Sequence, residues 1–96
     1  MNLGTVIKNK RKQKGLTQEE FALACGITQT YLSQIEGNKK EPNLSTIKEI
    51  SKKLEIPLPI LFFLSMDSED ISVEKREDFE SISPKVKTLV SDFFGV

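Results

Sequence analysis

The sequence predicts an all-α protein, with five short helices in residues 1–65 followed by a short C-terminal helical extension in an acidic tail, residues 66–96. Three observations predict it. Apolar residues recur at helical spacings of three and four, capping residues precede several of those runs, and glycines close the first three. The size also limits the answer: 96 residues, 10.9 kDa, hold one small domain with an appendage.

The first helix is expected over residues 2–14, with Leu3, Val6 and Ile7 on one face, Gly15 as its C-terminal cap and Leu16 as the contact beyond it. Thr17 opens T-Q-E-E, a capping box in which Thr17 and Glu20 each satisfy the other's backbone N–H. The second helix should run from Gln18 to Cys25, burying Phe21, Ala22 and Cys25, until Gly26 stops it. Thr28 then caps a third helix, Gln29 to Glu36, whose apolar positions are Leu32 and Ile35. Gly37-Asn38 turns the chain into an exposed loop, Lys39 to Pro42. Asn43 caps a fourth helix that buries Leu44, Ile47, Ile50 and Leu54, and a fifth is expected from Pro59 to Leu64.

The tail starts as an acidic linker, Met66 to Glu80. Ser83-Pro84 reads as a helix start, with Val86, Leu89, Val90 and Phe93 along one apolar face. Ile71, Val73, Phe79 and Ile82 point to a second short helix before it. A helix this short is marginal alone, so its stripe must pack on something.

Missing residue types exclude several functions. With no histidine and one cysteine, Cys25, neither a nucleophile–histidine pair nor a cysteine–histidine metal site can be assembled. No glycine-rich phosphate loop is present. Paired-carboxylate catalysis would have to come from acids in solvated runs, so the chain does not read as an enzyme, and no metal or cofactor is expected. A lone cysteine suits a reducing compartment. The longest apolar run, Ile56 to Leu64, falls short of the ~20 residues of a membrane span. The amino end lacks the apolar core of a signal peptide, so a cytoplasmic location is expected.

A net charge of zero conceals an asymmetry. Residues 1–56 carry ten Lys and Arg against six Glu, a net of +4, and residues 57–96 carry four against eight acids, a net of −4. The front half suits an anionic polymer that the tail would repel.

Two short helices joined by a glycine turn, the second with a polar outer face, form a helix-turn-helix. Ala22 is small where the helices cross, Gly26 can take the positive φ of the turn, and Phe21, Cys25, Ile27, Leu32 and Ile35 interlock beneath. The stretch Leu16 to Pro42, LTQEEFALACGITQTYLSQIEGNKKEP, resembles the Cro and phage-repressor type of helix-turn-helix proteins, also called the xenobiotic-response-element family. The framing helices extend the likeness to about residues 3–64.

The resemblance implies a lambda-repressor-like fold and double-stranded DNA as the partner, with the third helix in the major groove. Gln29 would pair with adenine, backed by Gln18 from the second helix, while Thr30, Ser33 and Gln34 fill the other outward positions. Tyr31, Asn38, Lys39 and Lys40 are candidates for phosphate contacts. Arg11 and Glu36 match positions where the resembled fold has a structural ion pair that ties the motif to the core. A homodimeric repressor on a palindromic site is the leading expectation. Its candidate interface is Ile60, Phe63 and Leu64, more apolar surface than a short helix buries on one side, with Leu89 and Phe93 of the tail. In the alternative the tail folds back over that surface. The other functional reading is an antitoxin-like module whose tail binds a protein partner and whose DNA binding is autoregulatory.

Overall fold

A computed structural model describes all of residues 1–96, and every regular element in it is helical. In chain order these are α1 (Leu3–Gln13), α2 (Gln18–Cys25), α3 (Gln29–Glu36), α4 (Leu44–Leu54), α5 (Leu58–Ser65) and α6 (Arg76–Phe94), with two single 3-10 turns at Ser68–Asp70 and Val73–Lys75. This is the lambda-repressor-like arrangement of five helices, extended by a C-terminal helix.

The local chemistry fixes most boundaries. Thr17 and Glu20 form the reciprocal capping box, each bond 3.1 Å long. The Thr28 hydroxyl accepts from the Tyr31 N–H at 3.0 Å, and Asn43 Oδ1 accepts from the Thr46 N–H at 2.8 Å. Gly26 takes φ 71° at the α2–α3 turn, letting the Ile27 N–H close on the Ala22 carbonyl at 3.0 Å.

α1 packs on α3, α4 and α5, and α2 packs on α3 and α4. Ile7, Phe21, Leu32, Ile35, Ile50, Leu54 and Leu61 are fully buried between them, with Val6, Ala22, Cys25, Ile47 and Ile56 completing the cluster. Burial is the main reason the Cys25 thiol is pushed up to about 11, with the Glu49 carboxylate adding to the shift; it is therefore an inert core side chain at neutral pH. Every buried side-chain nitrogen and oxygen has a hydrogen-bond partner.

Three expectations need correction. Leu44 is 60% exposed; it is the first residue of α4 and lies outside the face that buries Ile47, Ile50 and Leu54. α5 starts at Leu58 rather than Pro59, because Pro57 holds the N-cap position. Of the candidate interface residues on α5, Ile60 and Leu64 lie half-buried on the core beside Phe62, and half-buried Phe63 faces the tail, as in the alternative in which the tail folds back over that surface.

The largest correction is α6. It does not begin at Ser83-Pro84 but runs 19 residues from Arg76, with Pro84 inside it. Proline removes one N–H and crowds the carbonyl four residues back, here that of Glu80. Anchors on the amino-terminal half explain the continuity. Arg76 Nε donates to the carbonyls of Ser68 (2.8 Å) and Ile71 (3.0 Å), and the Ser68 hydroxyl donates to Glu80 at 2.8 Å. Phe79 and Val86, on either side of the proline, share one groove with Phe63 of α5. Ile71 and Val73 accordingly lie in and beside the 3-10 turns, and Phe79 and Ile82 belong to α6 itself.

The tail is fastened at further points. Lys87 Nζ donates to the Met66 carbonyl at 3.0 Å. The Met1 ammonium bridges Asp67 (3.0 Å) and Asp70 (3.1 Å), while the Asn2 N–H donates to the Ser65 carbonyl at 2.9 Å.

Candidate nucleic-acid interface

The two helices of the motif present α3 outward. Positions 29, 30, 33 and 34 span less than half of the helix circumference, opposite the buried Leu32, Ile35 and Glu36. Gln29, Thr30 and Ser33 are exposed and Gln34 is half-buried. None of these four side chains is spent on a bond within the chain, so their donors and acceptors face outward.

α3 is held from beneath by a buried ion pair. Arg11 of α1 and Glu36 at the end of α3 are 5% and 4% exposed. Arg11 Nε donates to Glu36 Oε2 at 2.7 Å and Nη2 to Oε1 at 3.0 Å, a bidentate geometry, and Nη1 donates to the Leu16 carbonyl at 2.6 Å. Gln18 completes the cluster, since its amide nitrogen donates to Glu36 Oε1 at 3.0 Å. The carboxylate therefore collects donors from α1 and α2 while sitting on α3. This fixes the angle of α3 more firmly than helix packing alone.

That bond also redirects Gln18. The resemblance implied that it backs up Gln29; instead its amide reaches the ion pair and not Gln29. Its oxygen and second N–H stay available near the amino end of α2, where backbone N–H groups also point outward.

Asn38 is likewise engaged. It adopts φ 57°, a left-handed conformation that asparagine tolerates better than most residues, one position beyond the Gly37 of the expected turn. Its Oδ1 accepts from the Gly4 N–H at 2.9 Å and its Nδ2 donates to the Thr5 hydroxyl at 3.1 Å. The side chain thus caps the start of α1 and clamps it to the end of α3. Gly4 is the complementary half, which sequence reasoning missed. A Cβ there would overlap the Ile35 carbonyl, so α1 and α3 approach as closely as only glycine allows. A small residue in the first turn of an amphipathic helix was the sole available signal.

Tyr31 is half-buried, with its ring against the core edge. Lys39 and Lys40 are exposed and form no ion pair. Their backbone N–H groups both close on the Gln34 carbonyl, at 2.9 and 3.2 Å, which holds the two ammonium-bearing side chains just past the end of α3. On α1, Lys8 and Lys12 are exposed as well, whereas Lys14 lies 3.5 Å from Glu55.

Comparison with known proteins gives the same frame. The family described as Helix-turn-helix matches residues 7–61, from α1 into α5. The ImmF control region 10 kDa protein of Bacillus phage phi105 is 42% identical over 59 residues, covering 62% of this chain and 66% of that protein. The HTH-type transcriptional regulator SlrR of Bacillus subtilis is 35% identical over 74 residues (76% of this chain, 46% of SlrR). The Immunity repressor protein of phage phi105 is 28% identical over 85 residues (88% and 56%). The chain thus spans about half to two thirds of the length of these relatives. No solved structure matches it. No helix is long and apolar enough to cross a membrane. The matched segment covers more than half of the chain and coincides with the motif that places α3 outward over a buried Arg11–Glu36 pair, so the chain belongs to the helix-turn-helix family, of the Cro and phage-repressor type.

Proposed function

We propose that this protein is a sequence-specific DNA-binding transcriptional regulator, a homodimeric repressor that reads a palindromic operator through α3 in the cytoplasm. Residues 1–65 bind DNA in this reading, and residues 66–96 cover α5 and contribute to dimerisation. The observation that carries it is the outer face of α3: a polar stripe with no internal bonds, followed at once by two unpaired lysines, on a helix anchored from beneath. Related proteins named as an immunity repressor and as transcriptional regulators support the same role.

The contacts divide into two kinds. Gln29 presents a bidentate amide suited to adenine, with Thr30, Ser33 and Gln34 for neighbouring bases and thymine methyl groups. Lys39 and Lys40, with the Tyr31 hydroxyl and the amino end of α2 at Gln18, meet phosphates and set the register. Asn38 contributes by shaping that turn, its side chain being already bonded to α1.

Selection of bound sequences from genomic DNA at fixed salt, followed by titration of two variants, tests the assignment. Gln29→Ala should cost ~1–3 kcal/mol on the selected site and relax the preference at one base pair. Lys39→Ala should weaken all sequences alike and make the salt dependence shallower by about one unit. Equal loss on random DNA for Gln29→Ala would remove it from base reading.

A second reading keeps DNA binding for autoregulation and gives the tail a protein partner, as an antitoxin would have. The exposed apolar residues of α6, Leu89 and Phe93 among them, favour it. Recovery of no motif in the selection, with salt-sensitive retention only, is the outcome that would prefer this reading.

A further inference from the structure

α6 carries an apolar stripe that the domain does not use up. Phe79, Ile82, Val86, Leu89 and Phe93 follow one another at alternating steps of three and four, the a/d pattern of a helix that pairs with another helix. Phe79 and Val86 are half-buried against the rest of the molecule, whereas Ile82, Leu89 and Phe93 are 55%, 69% and 82% exposed. Beside the stripe lies a groove of about 380 Å³ walled by Phe63, Ile71, Phe79, Ile82 and Val86. The exposed ring of Phe93, edge-on to Phe94 at 4.9 Å, stands at the other end of the helix.

We propose that this stripe is a self-pairing seam: the α6 helices of two copies pack antiparallel, with Val86 against the second copy's Leu89, and Ile82 and the groove against the second copy's Phe93. This deepens the homodimer reading above by naming the surface, the orientation and the register.

Charge selects the occupant and the orientation. One position ahead of Val86 and of Phe93, on the same flank of the stripe, stand Lys85 and Asp92. Both are exposed, and neither forms an ion pair within the chain. They are two turns apart on one helix, ~10 Å along the axis, which is too far for a direct bond. In an antiparallel pair with the stated layers, the two flanking positions meet across the two-fold axis. Lys85 then faces the second copy's Asp92, and Asp92 faces the second copy's Lys85. A parallel pair would instead set Lys85 against Val90 and stack each apolar residue on its own equivalent, leaving both charges unmatched. Because the same helix supplies both signs at positions that the two-fold rotation exchanges, the surface is complementary to itself. Packing of α6 on α5 and the 3-10 turns leaves the outer face of α3 free for DNA.

Sedimentation equilibrium of the whole chain across a dilution series, with helicity checked by circular dichroism, tests the seam. A dimer is expected, which Phe93→Glu or Leu89→Glu weakens by roughly a hundredfold or more. Lys85→Glu and Asp92→Lys, both at exposed positions, should leave the helicity unchanged and each weaken it roughly three- to tenfold. The double variant Lys85→Glu/Asp92→Lys should return to within about twofold of the original, a recovery that parallel pairing does not predict. A dimer indifferent to all of these changes would overturn the seam and leave the homodimer reading standing on another surface. A chain that stays monomeric throughout would overturn both, and would leave α6 as a face for a different protein.

Discussion

Removing one member of the Arg11–Glu36 pair should damage the protein far more than removing both. Each side chain is about 95% buried, and their two mutual bonds are joined by Gln18 and the Leu16 carbonyl. Glu36→Leu strips the guanidinium of every carboxylate bond and leaves it one backbone carbonyl. Arg11→Met leaves the carboxylate with one neutral amide. An unpaired charge at this depth costs ~3–5 kcal/mol, against a total stability of ~5–15 kcal/mol for a domain of this size. For each single variant the midpoint of thermal unfolding should fall by at least ~12 °C. The double variant Arg11→Met/Glu36→Leu replaces the pair with apolar groups of similar volume, and only Gln18 and Leu16 lose partners near the surface. Its loss should stay within about 1–2 kcal/mol of the original, giving a coupling of several kcal/mol. Urea unfolding followed by far-UV circular dichroism on the four proteins yields the cycle. Losses that simply add, with coupling below ~0.5 kcal/mol, would show that the two charges are solvated and do not hold α3.

Other consequences can be measured on the same footing. Asn38→Ala removes two bonds to α1 and forces a residue ill-suited to φ 57° into the turn, so it should cost ~1–3 kcal/mol; Asn38→Gly restores the backbone freedom and should cost less, and equal urea midpoints for the two would discount the conformational part. Pro84→Ala should stabilise the protein by ~1–2 kcal/mol by returning a donor to the Glu80 carbonyl, and an unchanged or lower midpoint would argue against a helix that is continuous there. The clasp between the Met1 ammonium and the acids of the first 3-10 turn should depend on pH at both ends. Hydrogen bonds to Asp67 and then Asp70 raise the ammonium above its ordinary 8.0, so its contribution is complete below that value and is lost as the pH rises through the higher folded value. The Asp67 backbone N–H, and then the ammonium, hold Asp70 below its ordinary 3.8, so its contribution is present above that value and fades as the pH falls through the lower folded one. Amide exchange in residues 66–72 should therefore be slowest relative to the intrinsic rate between about pH 4 and 8, and a protection profile flat through both ends would remove the clasp.

The sequence by itself determined that residues 3–65 form five helices, and where the first four begin and end to within a residue, because those signals are local. Thr17, Thr28 and Asn43 each bond a backbone N–H a few residues away, Gly15 and Gly26 take left-handed turns within their own segments, and spacings of three and four select the buried faces. The outward placement of Gln29, Thr30 and Ser33 follows from the same periodicity, since burying Leu32 and Ile35 leaves them nowhere else to point. Only the tertiary structure decided what depends on distant partners. Whether Gln18 turns toward Gln29 or toward Glu36 depends on where α1 brings Arg11, and whether Asn38 is free for phosphate depends on the approach of Gly4 from 34 residues away. Pro84 is the clearest case. Its local preference says that a helix begins there, yet Arg76 and Glu80 bond the first 3-10 turn and the residue after it, and these distant anchors outweigh one missing hydrogen bond.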